Sequence, residues 1–281
     1  MFQINPMRPE DFRFATELAN TMNWNMTQED FEVNMQLEPD GCLVLMDDSK
    51  PIGVATCIDY GQVGLFGNLV VKEAYRKQGA GSQLVKHAVN YLRRKGTTTI
   101  GLYAYSALTA FYSKLGFTHD ADFVVLKANT VSTLPKSEGK LEAARVNDLP
   151  HIEALDTGCF GASRKRLLDL ILQNPNNLGF VAVEGPEIVG FIAAKVFGEA
   201  SEVGPLVCQK THPETAVKLL HEVLRKLEGA EAYIYLPAAE SALLDTVFKA
   251  GFTEEFRLAR MFYGHAVAKN CIYLAESLER G

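Results

Sequence analysis

Leu84, Val85, Ala88 and Leu92 recur at helical spacing from Gly81 onward, and Arg93, Arg94 and Lys95 close that stripe where cations complement the helix dipole. The pattern predicts an amphipathic helix. Ahead of it, ATELANTMN reads as a helix, and CLVLMD, PIGVATCID and LFGNLVV read as strands separated by turn signals. Behind it come a strand, TTTIGLYAY, a short helix, LTAFYSKLG, ending at Gly116, and a closing strand, FVVLKA. The later half repeats the plan. Ala216, Leu220, Val223, Leu224 and Leu227 make a second helical stripe, followed by AYIYL as a strand.

The repetition has a measurable offset. Arg8 and Asp11 face Arg145 and Asp148, and Gly53 faces Gly190, all at 137 (145 − 8, 148 − 11, 190 − 53). Val71 matches Val207 at 136 and Phe117 matches Phe252 at 135, so the register drifts by two residues along the copy. Five anchors in one order predict two similar domains, 1–130 and 141–281. Between them, KANTVSTLPKSEGK lacks periodicity and has the Thr/Ser/Pro/Gly character of a connector, so the linker is expected at 131–140.

Composition narrows the class. A hydrophobic fraction of 47% and a charged fraction of 22% suit a chain that buries real cores, and no apolar run approaches a membrane span. The opening residues have neither the basic head nor the apolar stretch of a secretory signal, which leads us to expect a cytoplasmic protein. Five cysteines, odd in number and scattered, with no CxxC pair, predict buried free thiols instead of a disulfide framework or zinc site. The six histidines show no metal-ligand spacing, so no metal is expected. A net charge of −6 gives no general attraction to nucleic acid or anionic membrane, which points to a small substrate. Oligomeric state is not legible.

The chemistry concentrates in EAYRKQGAGSQL, Glu73 to Leu84. A strand, a glycine-bearing loop and a helix start aim several unpartnered N–H groups at one point, which is an anion site. Gly79 and Gly81 permit turn conformations and close approach, while Arg76 and Lys77 add positive charge. A diphosphate fits such a cradle. The spacing, RxxGxG, satisfies neither the dinucleotide fingerprint GxGxxG nor the P-loop GxxxxGK[ST].

VVKEAYRKQGAGSQLV resembles the acetyl-CoA motif of the GCN5-related N-acetyltransferase (GNAT) superfamily, and AFYSKLGF resembles its later tyrosine motif, 36 residues on (112 − 76). The whole chain is similar to the tandem, YitH-like group, through FGASRKRLL, VGPLV and RMFYG. The resemblance implies an α/β (α+β) fold of two tandem domains, each a mixed, largely antiparallel sheet flanked by helices, the second degenerate. It implies that the diphosphate of acetyl-CoA lies on Arg76, Lys77, Gln78, Gly79, Ala80, Gly81 and Ser82. The pantetheine arm would pair along Leu69, Val70 and Val71, the acetyl carbonyl would meet the N–H of Val71 or its neighbour, and Tyr112 would protonate the leaving thiolate. Tyr105 stands where many relatives have an asparagine that touches the arm. No general base is visible: LFGNLVV contains no acid, Leu65 occupies the expected place, and Asp59, Glu73 or a water relay remain.

For the acceptor, MNWNMTQEDF offers Trp24 and Asn25. At an offset of 136, Arg76, Gly79 and Gly81 fall on His212, Thr215 and Val217, and at 135 Tyr112 falls on Val247, so the second copy lacks cradle and acid. Arg164 in FGASR is either a solvated arginine at a helix start or a group crossing the junction. The reading is an N-acetyltransferase that moves acetyl from acetyl-CoA to a primary amine of a small molecule by direct attack. The alternatives are a protein amino-group acetyltransferase and a non-catalytic acyl-CoA sensor.

Overall fold

In the computed structural model, which describes residues 2–135, 141–267 and 270–281, both halves contribute to one mixed sheet. The first half runs β1 (Gln3–Pro6), α1 (Phe12–Asn20), α2 (Gln28–Leu37), β2 (Cys42–Asp47), β3 (Lys50–Asp59), β4 (Val63–Val71), α3 (Ala80–Arg94), β5 (Thr99–Tyr105), α4 (Thr109–Ser113) and β6 (Phe117–Ala128). The second runs β7 (Glu142–Ala143), α5 (Leu149–Phe160), α6 (Lys165–Gln173), β8 (Leu178–Glu184), β9 (Glu187–Phe197), β10 (Ala200–Gln209), α7 (Pro213–Lys226), β11 (Glu231–Pro237), α8 (Ser241–Lys249), β12 (Thr253–Tyr263) and β13 (Cys271–Leu274). All neighbouring strands are antiparallel except the pairs β4/β5 and β10/β11, so the expected mixed, largely antiparallel sheet flanked by helices is what forms.

The two helical stripes do the same packing work. Leu84, Val85, Ala88, Val89 and Leu92 of α3 are buried against one arm of the sheet, and Leu219, Leu220, Val223, Leu224 and Leu227 repeat them at 135 on the other (219 − 84, 227 − 92). Each full-sized aliphatic side chain so buried contributes about 1.5–3 kcal/mol. Strand pairing sets a different register. Gly53 opposes Val71 as Gly190 opposes Cys208, and Val54 opposes Val70 as Phe191 opposes Val207, an offset of 137 throughout. Val71 therefore corresponds to Cys208, one residue beyond the match expected from sequence, because two adjacent valines look alike until a partner strand fixes which is which. The loop between strand and helix is two residues shorter in the second half (137 − 135).

The halves exchange their closing strands. In the order β1-β2-β3-β4-β5-β12-β6-β11-β10-β9-β8-β7, β12 lies between β5 and β6, and β6 lies between β12 and β11. Leu258 opposes Tyr105, and Ala232 opposes Ala128. Without the second half, β6 loses both neighbours and β5 loses its outer one, leaving long rows of unpaired backbone groups. Residues 1–135 expressed alone are therefore expected to aggregate or oligomerise; a stable monomer in sedimentation with native-like circular dichroism contradicts this exchange. A shared apolar layer adds to the joint, with Tyr60 edge-on to Phe160 at 5.4 Å and Arg166 of α6 donating to the carbonyls of Leu37 and Asp59.

One expectation is corrected here: the cysteines are not all free thiols. Cys159 and Cys271 are joined in a disulfide, 112 residues apart in sequence with Cα atoms 5.4 Å apart, where β13 returns past the end of α5. Spacing alone cannot anticipate a pairing made by tertiary return of the chain. Cys42, Cys57 and Cys208 are free and buried, and burial pushes the Cys42 and Cys208 thiols up to about 12, so all three act as apolar packing. Of the connector expected at 131–140, residues 136–140 lie outside the described residues; Val131 and Ser132 donate to the carbonyls of Ala230 and Ala250 at 2.9 Å each.

Candidate active site

The parallel strands β4 and β5 part early. They pair only at Val63, Gly64 and Leu65 with Thr99, Ile100 and Gly101, after which β5 continues along β12 and β4 bulges at Asn68, whose φ is 51°. Beyond the bulge, residues 70–72 stay bonded to β3 on one side, with Lys72 N–H donating to Ile52 O at 2.8 Å, while the other edge of residues 69–72 faces the gap. An extended ligand can add to such an edge as a strand would.

At the end of that edge the chain turns into the cradle. Lys77 and Gly79 take left-handed conformations (φ 60° and 86°), and Gly79 caps α3 without a side chain. The first backbone bond across the turn is Gln83 N–H to Gly79 O, so the N–H groups of Ala80, Gly81 and Ser82 precede the helical ladder and project from the helix start. Arg76 folds back, its Nε donating to Val71 O at 2.9 Å, and Gln78 donates to Ala74 O at 2.7 Å. Gly81 differs from Gly79. Its backbone is ordinary helix, and a Cβ there would meet only Phe111 at 3.6 Å and Leu69 at 4.0 Å, both normal contacts. Neither strain nor crowding within the protein requires glycine at 81, whereas a ligand approaching the backbone would.

The same two contacts show that Leu69, Gly81 and Phe111, distant in sequence, converge. Tyr112, next to Phe111 on α4, is buried edge-on between Phe111 and Phe117, and burial raises its phenol well above the usual tyrosine value. Trp24 and Tyr105 meet as well: Trp24 Nε1 donates to Tyr105 OH at 2.8 Å, tying the loop between α1 and α2 to the end of β5, where Tyr105 packs on Phe256 of the second half. Asn25 follows, exposed and left-handed (φ 52°). Asp59, one candidate base, sits beside Lys95 at the far end of α3, roughly 20 Å along the helix from the cradle. Glu73 lies exposed in the short turn before the cradle.

The second half has the same gap, and the chain fills it itself. β10 pairs with β11 only over Ala200–Val203, bulges at Gly204 and Pro205, and then carries β13 along residues 206–209, the counterparts of 69–72 at 137. Past β13, residues 275–281 continue from one bulge to the other: Ala275 packs on Gly204, and Glu279 packs on Gly67, its counterpart in β4. Arg164 anchors this segment. It is fully buried, paired through both Nε and Nη2 with Asp156, stacked over Phe160, and bonded to Gly281 O, so the solvated reading of this arginine does not hold.

With this geometry in view, the comparisons fit both halves. Residues 9–117 match the acetyltransferase (GNAT) family and residues 152–273 match an acetyltransferase (GNAT) domain. The chain belongs to the GNAT superfamily. It is a tandem GNAT protein and an acyltransferase, of the family that generally takes its acyl group from acetyl-CoA. Similar solved structures include a putative acetyltransferase from Pyrococcus horikoshii (22% identity, TM-score 0.82, covering 100% of this chain and 96% of that one). A GCN5-related N-acetyltransferase from Sphaerobacter thermophilus follows at 15% identity and TM-score 0.70, covering 95% and 98% of the two chains. A tandem GNAT protein from the clavulanic acid biosynthesis pathway aligns at 14% identity and 0.62, covering 95% and 100%. No curated protein matches this GNAT chain significantly. Among the described residues no helix is long and apolar enough to cross a membrane, and no group of three His, Cys, Asp or Glu is placed to hold a metal.

Proposed function

We propose that the first half, residues 1–130, binds acetyl-CoA and transfers its acetyl group to the primary amine of a small molecule within a ternary complex. The observation that carries this reading is the second half's own β13, which lies on residues 206–209 just as a pantetheine arm would lie on residues 69–72. One edge is already taken and the other faces an open gap beside an anion cradle. The diphosphate then rests on the N–H groups of 80–82 with Arg76 and Lys77 nearby, and the arm runs back along Val71, Val70 and Leu69 toward the bulge. A backbone N–H at that end favours the tetrahedral oxyanion over the ground-state carbonyl.

Tyr112, like any tyrosine, is protonated at neutral pH, the form required to give a proton to the departing sulfur, and its burial beside Phe111 and Phe117 fixes where that hydroxyl is held. Holding amine and thioester together supplies much of the acceleration through positioning. Trp24 Nε1 ties the loop between α1 and α2 to Tyr105, and Glu279 packs on Gly67 of the β4 bulge; an acceptor site bounded by these two contacts would suit a small amine better than a peptide. Residues 141–281 then serve as scaffold and wall, and one acetyl-CoA binds per chain.

The test is thiol release from acetyl-CoA across a panel of primary amines, with Tyr112→Phe beside the parent. The variant is expected to bind acetyl-CoA as the parent does and to lose more than about tenfold in kcat. Unchanged kcat removes Tyr112 from the reaction, and acetyl-CoA binding without thiol release from any amine replaces the transferase with a sensor.

A further inference from the structure

The direction of β13 defines a path. Cys271 opposes Gln209 near the helix start, Leu274 opposes Leu206, and the chain then reaches the bulge at Gly204. The equivalent path in the first half begins beside the cradle at residue 72 and ends at Gly67. An arm held at its diphosphate end therefore presents its thioester at the β4 bulge. The space above that bulge is filled from the other half of the chain: a Cβ on Gly67 would stand 2.5 Å from Glu279 Cβ and 2.8 Å from its Cα, so glycine at 67 makes room for Glu279. The acid missing from LFGNLVV arrives here by tertiary contact.

Resting on the acetyl-transfer reading above, we infer that Glu279, carried by the second half, is the group that takes the proton from the amine attacking in the first half. The charges around it suit that role. Glu202, Glu276 and Glu279 share two cations, Lys195 and Arg280, leaving one negative charge in excess (2 − 3), and Asp30 of α2 adds another from the facing side. Lys195 lies 2.5 Å from Glu202 and also pairs with Glu276; Arg280 reaches Glu276 at 3.0 Å, Glu279 at 2.7 Å and Glu202 at 4.0 Å. An incoming ammonium is drawn to this net charge. Burial pushes Glu279 above the ordinary glutamate value; Arg280 pulls against that, and Glu202, Glu276 and Asp30 add to the rise. Glu276, buried in the same network, is held down by Arg280 and Lys195, so the two carboxylates are driven apart. Glu279 keeps 13% side-chain exposure, an outlet for the proton.

The protons balance as follows. Glu279 takes one proton from the bound ammonium and later releases it to water. The free amine adds to the carbonyl carbon, the C–S bond breaks, and sulfur receives the Tyr112 proton; the second nitrogen proton returns to the tyrosinate through water. Ammonium plus thioester gives amide, thiol and one proton.

Two nucleophiles separate this role from a structural one. n-Butylamine, with a lysine-like pKa of about 10.4, is protonated at pH 7 and needs the base, whereas hydroxylamine is neutral there and does not. Glu279→Gln is expected to leave acetyl-CoA affinity in calorimetry unchanged, to lower kcat/KM for n-butylamine about 100-fold, and to hold hydroxylamine within about twofold. The break that Glu279 sets in the n-butylamine pH profile, expected in the parent above the ordinary glutamate range, should persist in Glu279→Asp, whereas Glu279→Gln should lose it and rise with pH toward the amine's own pKa of about 10.4. Equal losses with both nucleophiles, or no loss with either, overturn the assignment. If the parent itself fails to bind acetyl-CoA or releases thiol with neither nucleophile, the acetyl-transfer reading falls first and takes this inference with it.

Discussion

Gly81→Asp is expected to abolish acetyl-CoA binding while leaving the fold intact. The new side chain meets no obstruction, since a Cβ at 81 finds only ordinary contacts with Phe111 and Leu69. Replacing glycine by an acid in the first turn of α3 even favours the helix, by up to about 1 kcal/mol. A bound diphosphate, by contrast, would face a carboxylate at about 4 Å, which costs about 4 kcal/mol at an effective dielectric constant near 20, or roughly a thousandfold in affinity. Calorimetric titration and thermal melting on the same sample check both halves of the expectation. Affinity within a few-fold of the parent rules out the cradle as the diphosphate site.

Arg164→Met is expected to lose about 3–5 kcal/mol of stability, the cost of leaving Asp156 as an uncompensated buried charge. For a chain of this length that lowers Tm on the order of 10 °C. The partner replacement separates packing from charge: Arg164→Met with Asp156→Leu should recover most of the loss, because an apolar pair of similar volume needs no ionic partner. An exposed arginine at a helix start would change stability by less than about 0.5 kcal/mol, and that result would contradict the buried pair. The effect should reach the active site, since Arg164 holds Gly281 O and thereby the segment carrying Glu279.

The duplicated plan and the strand–loop–helix turn at RKQGAG are legible because each rests on local pattern. Helical stripes such as Leu84, Val85, Ala88 and Leu92 announce themselves by period, and RKQGAG lies between a strand and a helix start that periodicity alone locates. The convergence of Trp24 with Tyr105 was not legible, although each had been singled out, because 81 residues separate them. The exchange of β6 and β12 is hidden for a related reason: each closing strand joins a polar stretch to an apolar one and its sequence names no neighbour, so only the assembled sheet decides. Glu279 is not legible in this role because it lies 212 residues beyond Gly67 (279 − 67), outside the strand LFGNLVV where an acid is expected. The signal lay in that glycine. A side chain absent from the strand is space for one supplied from elsewhere, and its counterpart Gly204 makes the same room for Ala275.

Diffraction from crystals grown with CoA tests the central claim most directly. The account predicts one CoA per chain, its diphosphate on the N–H groups of residues 80–82 and its arm bonded along residues 69–72, with β13 undisturbed on residues 206–209. A nucleotide lodged against α7, or an arm that displaces β13, would contradict it.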